Sequence, residues 1–150
     1  MKNTLATVAV LLAVVPSANA ESKVPCDTLP VAILHQAKME ARDATVTGCV
    51  KDKENGKLTY EVETLKDGKS KDITLDASGT ILEVEQQVTA SSLPPAVSNA
   101  IEKAARGGKI GKIESVTRRG VIASYETTIL QKGRRREVAF NPQGDPVQAD

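Results

Sequence analysis

Two stretches of this chain repeat one another in outline, and that repetition limits the folds open to it more than any other feature. Leu29-Pro30-Val31-Ala32-Ile33 recurs as Leu93-Pro94-Pro95-Ala96-Val97, 64 positions later. Tyr60-Glu61-Val62-Glu63-Thr64 recurs as Tyr125-Glu126-Thr127-Thr128-Ile129, 65 positions later. Gly68-Lys69 matches Gly133-Arg134, Asp72 to Asp76 matches Glu137 to Asn141, and Gly79 matches Gly144. A single one-residue gap aligns the whole unit.

Each copy reads as a helix followed by antiparallel strands. Leu29, Ile33, Ala37 and Ala41 share one helical face, as do Val97, Ile101, Ala104 and Ala105. Thr28 and Ser92 stand before the Leu-Pro pairs, where an N-cap or the residue before it is expected. Gly107-Gly108 is placed to end the second helix. Leu58, Tyr60 and Val62 then alternate with polar residues, and Val121, Ala123, Tyr125 and Ile129 do so in the second copy. Period-two alternation gives each strand one buried and one polar face. Asp67-Gly68 and Lys132-Gly133 suit tight hairpins that need positive φ. Asp76-Ala77-Ser78-Gly79 and Asn141-Pro142-Gln143-Gly144 mark a further turn. Closing strands are expected at Ile81 to Val88 and at Pro146 to Val147. An earlier strand is expected over about Thr45 to Lys51, and its counterpart over about Lys112 to Arg118.

The fold class expected is therefore α+β: two tandem modules, residues 21–88 and 89–150, each with a helix over one sheet face. Ala90-Ser91-Ser92 is too short a junction to let the halves drift apart. Docked modules or one continuous sheet are the two arrangements it allows. Tyr60 and Tyr125 hold equivalent places and are expected as repeated core residues.

Residues 1–20 carry a different signal. Lys2 precedes the uncharged apolar stretch Leu5 to Val15, and Ala18-Asn19-Ala20 forms a small-x-small cleavage site. The stretch is too short to span a bilayer, and no second long apolar segment follows. The reading is an exported periplasmic or secreted protein with no membrane span after cleavage. In that oxidising setting the only two cysteines, Cys26 and Cys49, are expected to form a disulfide. A thiol-bound metal is the alternative. A structural zinc site needs four ligands, and the chain has one histidine.

The motifs, in their order and doubling, resemble the PepSY-like family, also described as beta-lactamase-inhibitor-like. The residues that carry this are Leu93-Pro94-Pro95-Ala96-Val97, the Tyr-Glu segments, the Gly-Lys/Arg hairpins and the Asp/Asn-x-x-Gly turns. The resemblance covers nearly all of the mature chain, twice. It implies exported helix-plus-sheet modules that bind a partner, with the inhibitor relatives using a tandem pair and its concave sheet face. The chain departs from that inhibitor in having only Tyr60, Tyr125 and Phe140 as aromatics. Binding hot spots favour Trp, Tyr and Arg.

Catalytic chemistry is not legible. His35, the single histidine, sits in the first helix with no apparent nucleophile. Arg106-Gly107-Gly108-Lys109 lacks the spacing of a phosphate loop. The reading is a non-enzymatic binding module, without cofactor or metal, whose sheet face and hairpin loops engage a protein, such as a peptidase it inhibits or regulates. A small-ligand or cation-binding protein is the alternative. Glu61 and Glu63 are candidate contact residues, and with Asp72, Glu83 and Glu85 they could form an acidic face for calcium or a cationic partner. Arg118, Arg119, Arg134, Arg135 and Arg136 bracket the second hairpin, and could converge on a carboxylate-rich surface if their turns share one end of the sheet. Thirteen acids and nine bases over 21–88, against six and ten over 89–150, give halves of about −4 and +4. That is too weak a basic balance for a nucleic-acid partner.

Overall fold

A computed structural model describes residues 22–149 apart from Asn55. The expected signal segment, residues 1–20, lies outside the described residues. The chain forms β1 (Ser22–Lys23), α1 (Val31–Ala41), β2 (Thr45–Glu54), β3 (Lys57–Lys66), β4 (Lys69–Asp76) and β5 (Ile81–Val88). It continues as α2 (Pro95–Ala105), β6 (Lys109–Arg118), β7 (Val121–Gln131), β8 (Arg134–Phe140) and β9 (Pro146–Val147). The strands make one nine-stranded sheet in which order along the chain is order in space, every neighbour antiparallel. The order of a 3-10 turn, a helix and four strands occurs twice. Of the two arrangements open to the junction, the continuous sheet is the one found. β5 pairs with β6 from Glu83↔Arg118 to Val88↔Ile113.

Both helices lie on the same face. Under α1, Ile33, Ala37 and Ala41 meet Tyr60, Val62, Ile73, Leu75 and Val84. Under α2, Val97 and Ile101 meet Ile113, Tyr125 and Phe140. The two tyrosines occupy matching places, 8% and 7% exposed, as the repeat implies. These cores are largely aliphatic, with the chain's three aromatics among them, and thin, one layer of helix on one layer of sheet. The Cys26–Cys49 disulfide ties the 3-10 turn before α1 to β2.

The turns follow the dipeptides that mark them. Asp67-Gly68, Arg119-Gly120 and Lys132-Gly133 all hold two successive positive φ values, near 50° and 76°. This is the two-residue hairpin whose twist matches that of the strands. At the four-residue turns the side chain at the first position does the work. Asp76 Oδ1 accepts from Ser78 N (2.8 Å) and Thr80 N (3.0 Å), and Asn141 Oδ1 accepts from Gln143 N (3.0 Å) and Asp145 N (2.9 Å).

Two local expectations need correction. Thr28 and Ser92 do not cap the helices. Pro30 and Pro94 hold the N-cap positions, with no side-chain cap bond. Thr28 and Ser92 close the preceding 3-10 turns instead, their hydroxyls donating to Pro25 O (2.6 Å) and Thr89 O (2.8 Å). The strand after each helix, β2 and β6, is also longer than its alternation suggests. β6 opens at Lys109 rather than Lys112, because bulges between Ile110 and Ile113 and at Val116/Thr117 break the period.

Candidate functional site

Alternation along β3 to β7 sends one set of side chains to the helices and the other to the opposite face, on which no described helix lies. The register fixes what meets there. Glu63, Asp72 and Glu85 stand side by side across β3, β4 and β5. Gln87, Glu114 and Glu126 form the next row across β5, β6 and β7. Glu61, Thr74, Glu83 and Arg118 form the row on the other side. Seven carboxylates thus share the middle of one sheet face.

Their closest grouping is Asp72, Glu85 and Glu114, which each offer a carboxylate oxygen within 4.8 Å of the others. All three are half-buried. Burial, with the negative charges of Glu114, Glu83, Asp72 and Glu126, pushes the Glu85 carboxyl up to about 7. Burial also raises Asp72, against the opposing pull of the Lys112 charge. Lys112 is the local counter-ion: its Nζ lies 2.7 Å from Glu114 Oε1 and donates to Ser70 Oγ at 3.0 Å. Burial alone would lower the Lys112 ammonium, but the Glu114 hydrogen bond and the charges of Glu114, Asp72 and Glu85 raise it. At the rim, Arg118 Nε pairs with Glu83 Oε2 at 2.5 Å. Glu126 is 8% exposed and accepts from Ser124 Oγ at 2.9 Å. Gly48 helps shape the face, since a Cβ there would collide with the Glu63 carboxylate.

Of the residues singled out in the sequence, Glu61 and Glu63 lie on this face together with Asp72, Glu83 and Glu85. Arg118 joins them as the partner of Glu83. The five arginines do not converge. Arg118 and Arg119 lie at the β6–β7 turn and Arg134 at the β7–β8 turn, the opposite ends of β7. An eleven-residue strand holds those ends about 30 Å apart. Arg136 points to the helix face and donates to Ala104 O at the end of α2. Glu114 and Glu126 were not anticipated. For Glu126 the signal was present, because it follows Tyr125 as Glu61 follows Tyr60. For Glu114 the bulge in β6 hid it.

His35 is exposed on α1, and both cysteines are held in the disulfide. A surface cleft of about 550 Å³ lies away from the acidic face, at the C-terminal end of α1, lined by Met39, Glu40, Arg42, Lys66 and Lys71. Three of its charged groups are held in ion pairs, Lys71–Glu40 at 2.7 Å and Lys66–Asp43 at 3.3 Å. Among the described residues, no helix is long and apolar enough to cross a membrane.

No family model matches the chain, and no curated protein matches it in sequence. Solved structures do resemble it. A protein of Bacteroides eggerthii described as periplasmic superposes with a TM-score of 0.65 at 14% identity, covering 79% of this chain and 86% of its own. A DUF2874 family protein of Bacteroides uniformis gives 0.64 at 17%, covering 80% and 87%. A BLIP-like protein of Bacteroides fragilis gives 0.60 at 20%, covering 80% and 85%. The chain has a BLIP-like fold. At these identities the likeness is one of architecture.

Proposed function

We propose that this chain is an exported, non-enzymatic binding protein whose uncovered sheet face receives a cationic surface of a protein partner in the periplasm. The observation that carries this reading is the carboxylate field centred on Asp72, Glu85 and Glu114, around which Lys112, Arg118 and Lys23 pair with Glu114, Glu83 and Glu63. Like charges held together in a half-buried place raise one another's energy, and an arriving Arg or Lys relieves it. The leader at residues 1–20 and the periplasmic description of a fold neighbour support the compartment. The doubled order of elements, with the Tyr-Glu and hairpin motifs, supports two copies of one PepSY-like module, divided near Val88. Regulation or inhibition of an envelope enzyme such as a peptidase is the role such a module would serve.

The test is retention of envelope proteins on the immobilised chain, compared with a variant carrying Asp72→Asn, Glu85→Gln and Glu114→Gln. A partner held by the wild type at low salt, lost on the variant, and cross-linked through this face supports the reading. A partner held equally by both, or none at all, counts against it.

A second reading has its own support. Three carboxylate oxygens within 4.8 Å are spaced as the ligands of a divalent cation, for which oxygen donors suit calcium. Calorimetry with calcium should then show binding that Glu85→Gln weakens. A melting temperature indifferent to calcium removes this reading and leaves the first intact.

A further inference from the structure

The sheet's outer edge at β8 is bare over most of its length. β8 pairs with β7 from Arg134 to Phe140, but β9 pairs only with Ala139 and Phe140. The stretch Arg134–Val138 has no strand on its outer side among the described residues. The matching position in the first half is filled, because β5 pairs with β4 from Lys71 to Leu75. The repeat aligns Arg134, Arg135, Arg136, Glu137 and Val138 with Lys69, Ser70, Lys71, Asp72 and Ile73. One edge position thus carries a full strand in one half and stands open in the other.

The direction of the backbone groups follows from the adjoining turn. The Asn141 amide donates outward, to Asp145 O at 2.9 Å. Alternation carries the same direction to Ala139, Glu137 and Arg135. The N–H and C=O groups of Arg135 and Glu137 therefore point away from β7, and residues 134–137 are all exposed. Such a row of backbone groups is a template for another strand. Its side chains decide which strand. Arg134 and Arg135 project to opposite faces, Lys132 precedes them, and Lys103 and Arg106 border a groove of about 510 Å³ between α2 and β8. The floor of that groove includes Val138 and Phe140.

We infer that the β8 edge takes an extended acidic segment of a partner protein as an additional antiparallel strand. A second copy of the same edge would bring one carboxylate, Glu137, to three arginines, a poorer match than an acidic strand. A strand with successive carboxylates meets guanidinium groups on both faces while its backbone completes the ladder. This edge is separate from the carboxylate group of Asp72, Glu85 and Glu114, so the two readings can fail independently.

The probe is a fluorescent peptide with the β5 sequence Val84–Val88, which stops short of the positions β9 pairs, carrying Glu85→Gln, Gln86→Glu and Gln87→Glu. In the β4–β5 register these changes set carboxylates opposite Arg136 and Arg135 and remove one opposite Glu137. Fluorescence anisotropy at low salt should show binding that Arg134→Glu or Arg135→Glu weakens about tenfold. Two methylated peptides need no variant of the protein. N-methylation of the amides that face β8 should cost a similar factor, and methylation along the other edge should cost nothing. In the complex the amides of Arg135 and Glu137 should gain protection from hydrogen exchange. Equal binding by the two methylated peptides, or no binding by the parent peptide up to ~1 mM, overturns the inference.

Discussion

Glu85 is the residue whose environment departs furthest from that of a carboxylate in water. Its folded value of about 7 stands above the ordinary 4.5, so the folded chain holds a proton that the unfolded chain releases. Stability is therefore greatest below about pH 4.5 as far as this group is concerned, and falls as pH rises through 7. Glu85→Gln should abolish that fall and stabilise the chain at pH 8 by about 1–2 kcal/mol, after allowance for solvent screening. Thermal unfolding from pH 5 to 8 measures it, and identical pH profiles for variant and wild type would refute the assignment. Asp76 behaves in the opposite sense. The Ser78 hydroxyl, with the Thr80 and Ser78 amides, lowers it, so what it contributes disappears only as pH falls through that lowered value. Glycine substitutions separate conformational cost from steric cost. Gly68 (φ +75°) has open space around a Cβ, whereas at Gly144 (φ +86°) a Cβ would lie 2.7 Å from Ala96 O. Gly68→Ala should cost about 1 kcal/mol and Gly144→Ala clearly more, about 2–3 kcal/mol, by urea titration.

At the scale of elements, each helix is held by a few aliphatic side chains, and removing one should be felt strongly. Ile33 is wholly buried and Ile101 is 2% exposed. Ile33→Ala and Ile101→Ala should each destabilise by about 2–5 kcal/mol in denaturant unfolding. Replacing both Cys26 and Cys49 with serine opens a link across 23 positions and should cost about 3 kcal/mol by the same measurement. These elements were legible in the sequence because their signals are local. The period of Ile33, Ala37 and Ala41, the alternation around Tyr60 and Tyr125, and the Asp-Gly and Lys-Gly pairs each arise within one element. What stayed hidden depends on register between strands. Glu114 reaches Asp72 and Glu85 only because β6 pairs with β5 at a particular offset. The separation of the two arginine clusters likewise depends on which end of β7 each turn occupies. The candidate site was half visible, as a polar face rich in glutamate. Its tightest group spans the seam between the halves, where no motif marks it.

At the scale of the molecule, hydrogen bonding runs unbroken from β1 to β9. Both helices cover the same side, so the sheet has one apolar surface and an opposite one whose carboxylates gather in the middle, across β3 to β7. Denaturant unfolding followed by far-ultraviolet circular dichroism and by tyrosine fluorescence, with one tyrosine in each core, should give coincident transitions. Ile33→Ala and Ile101→Ala should shift that same transition, although they lie in different cores. Two resolved steps would show that the halves melt separately. The six-residue ladder between β5 and β6 also sets what a severed chain would do. A fragment ending at Val88 would bare a long inner strand that evolution has not armed with prolines or a blocking lysine. It should associate with itself through that strand, or bind the complementary fragment and rebuild the parent, rather than persist as a free half.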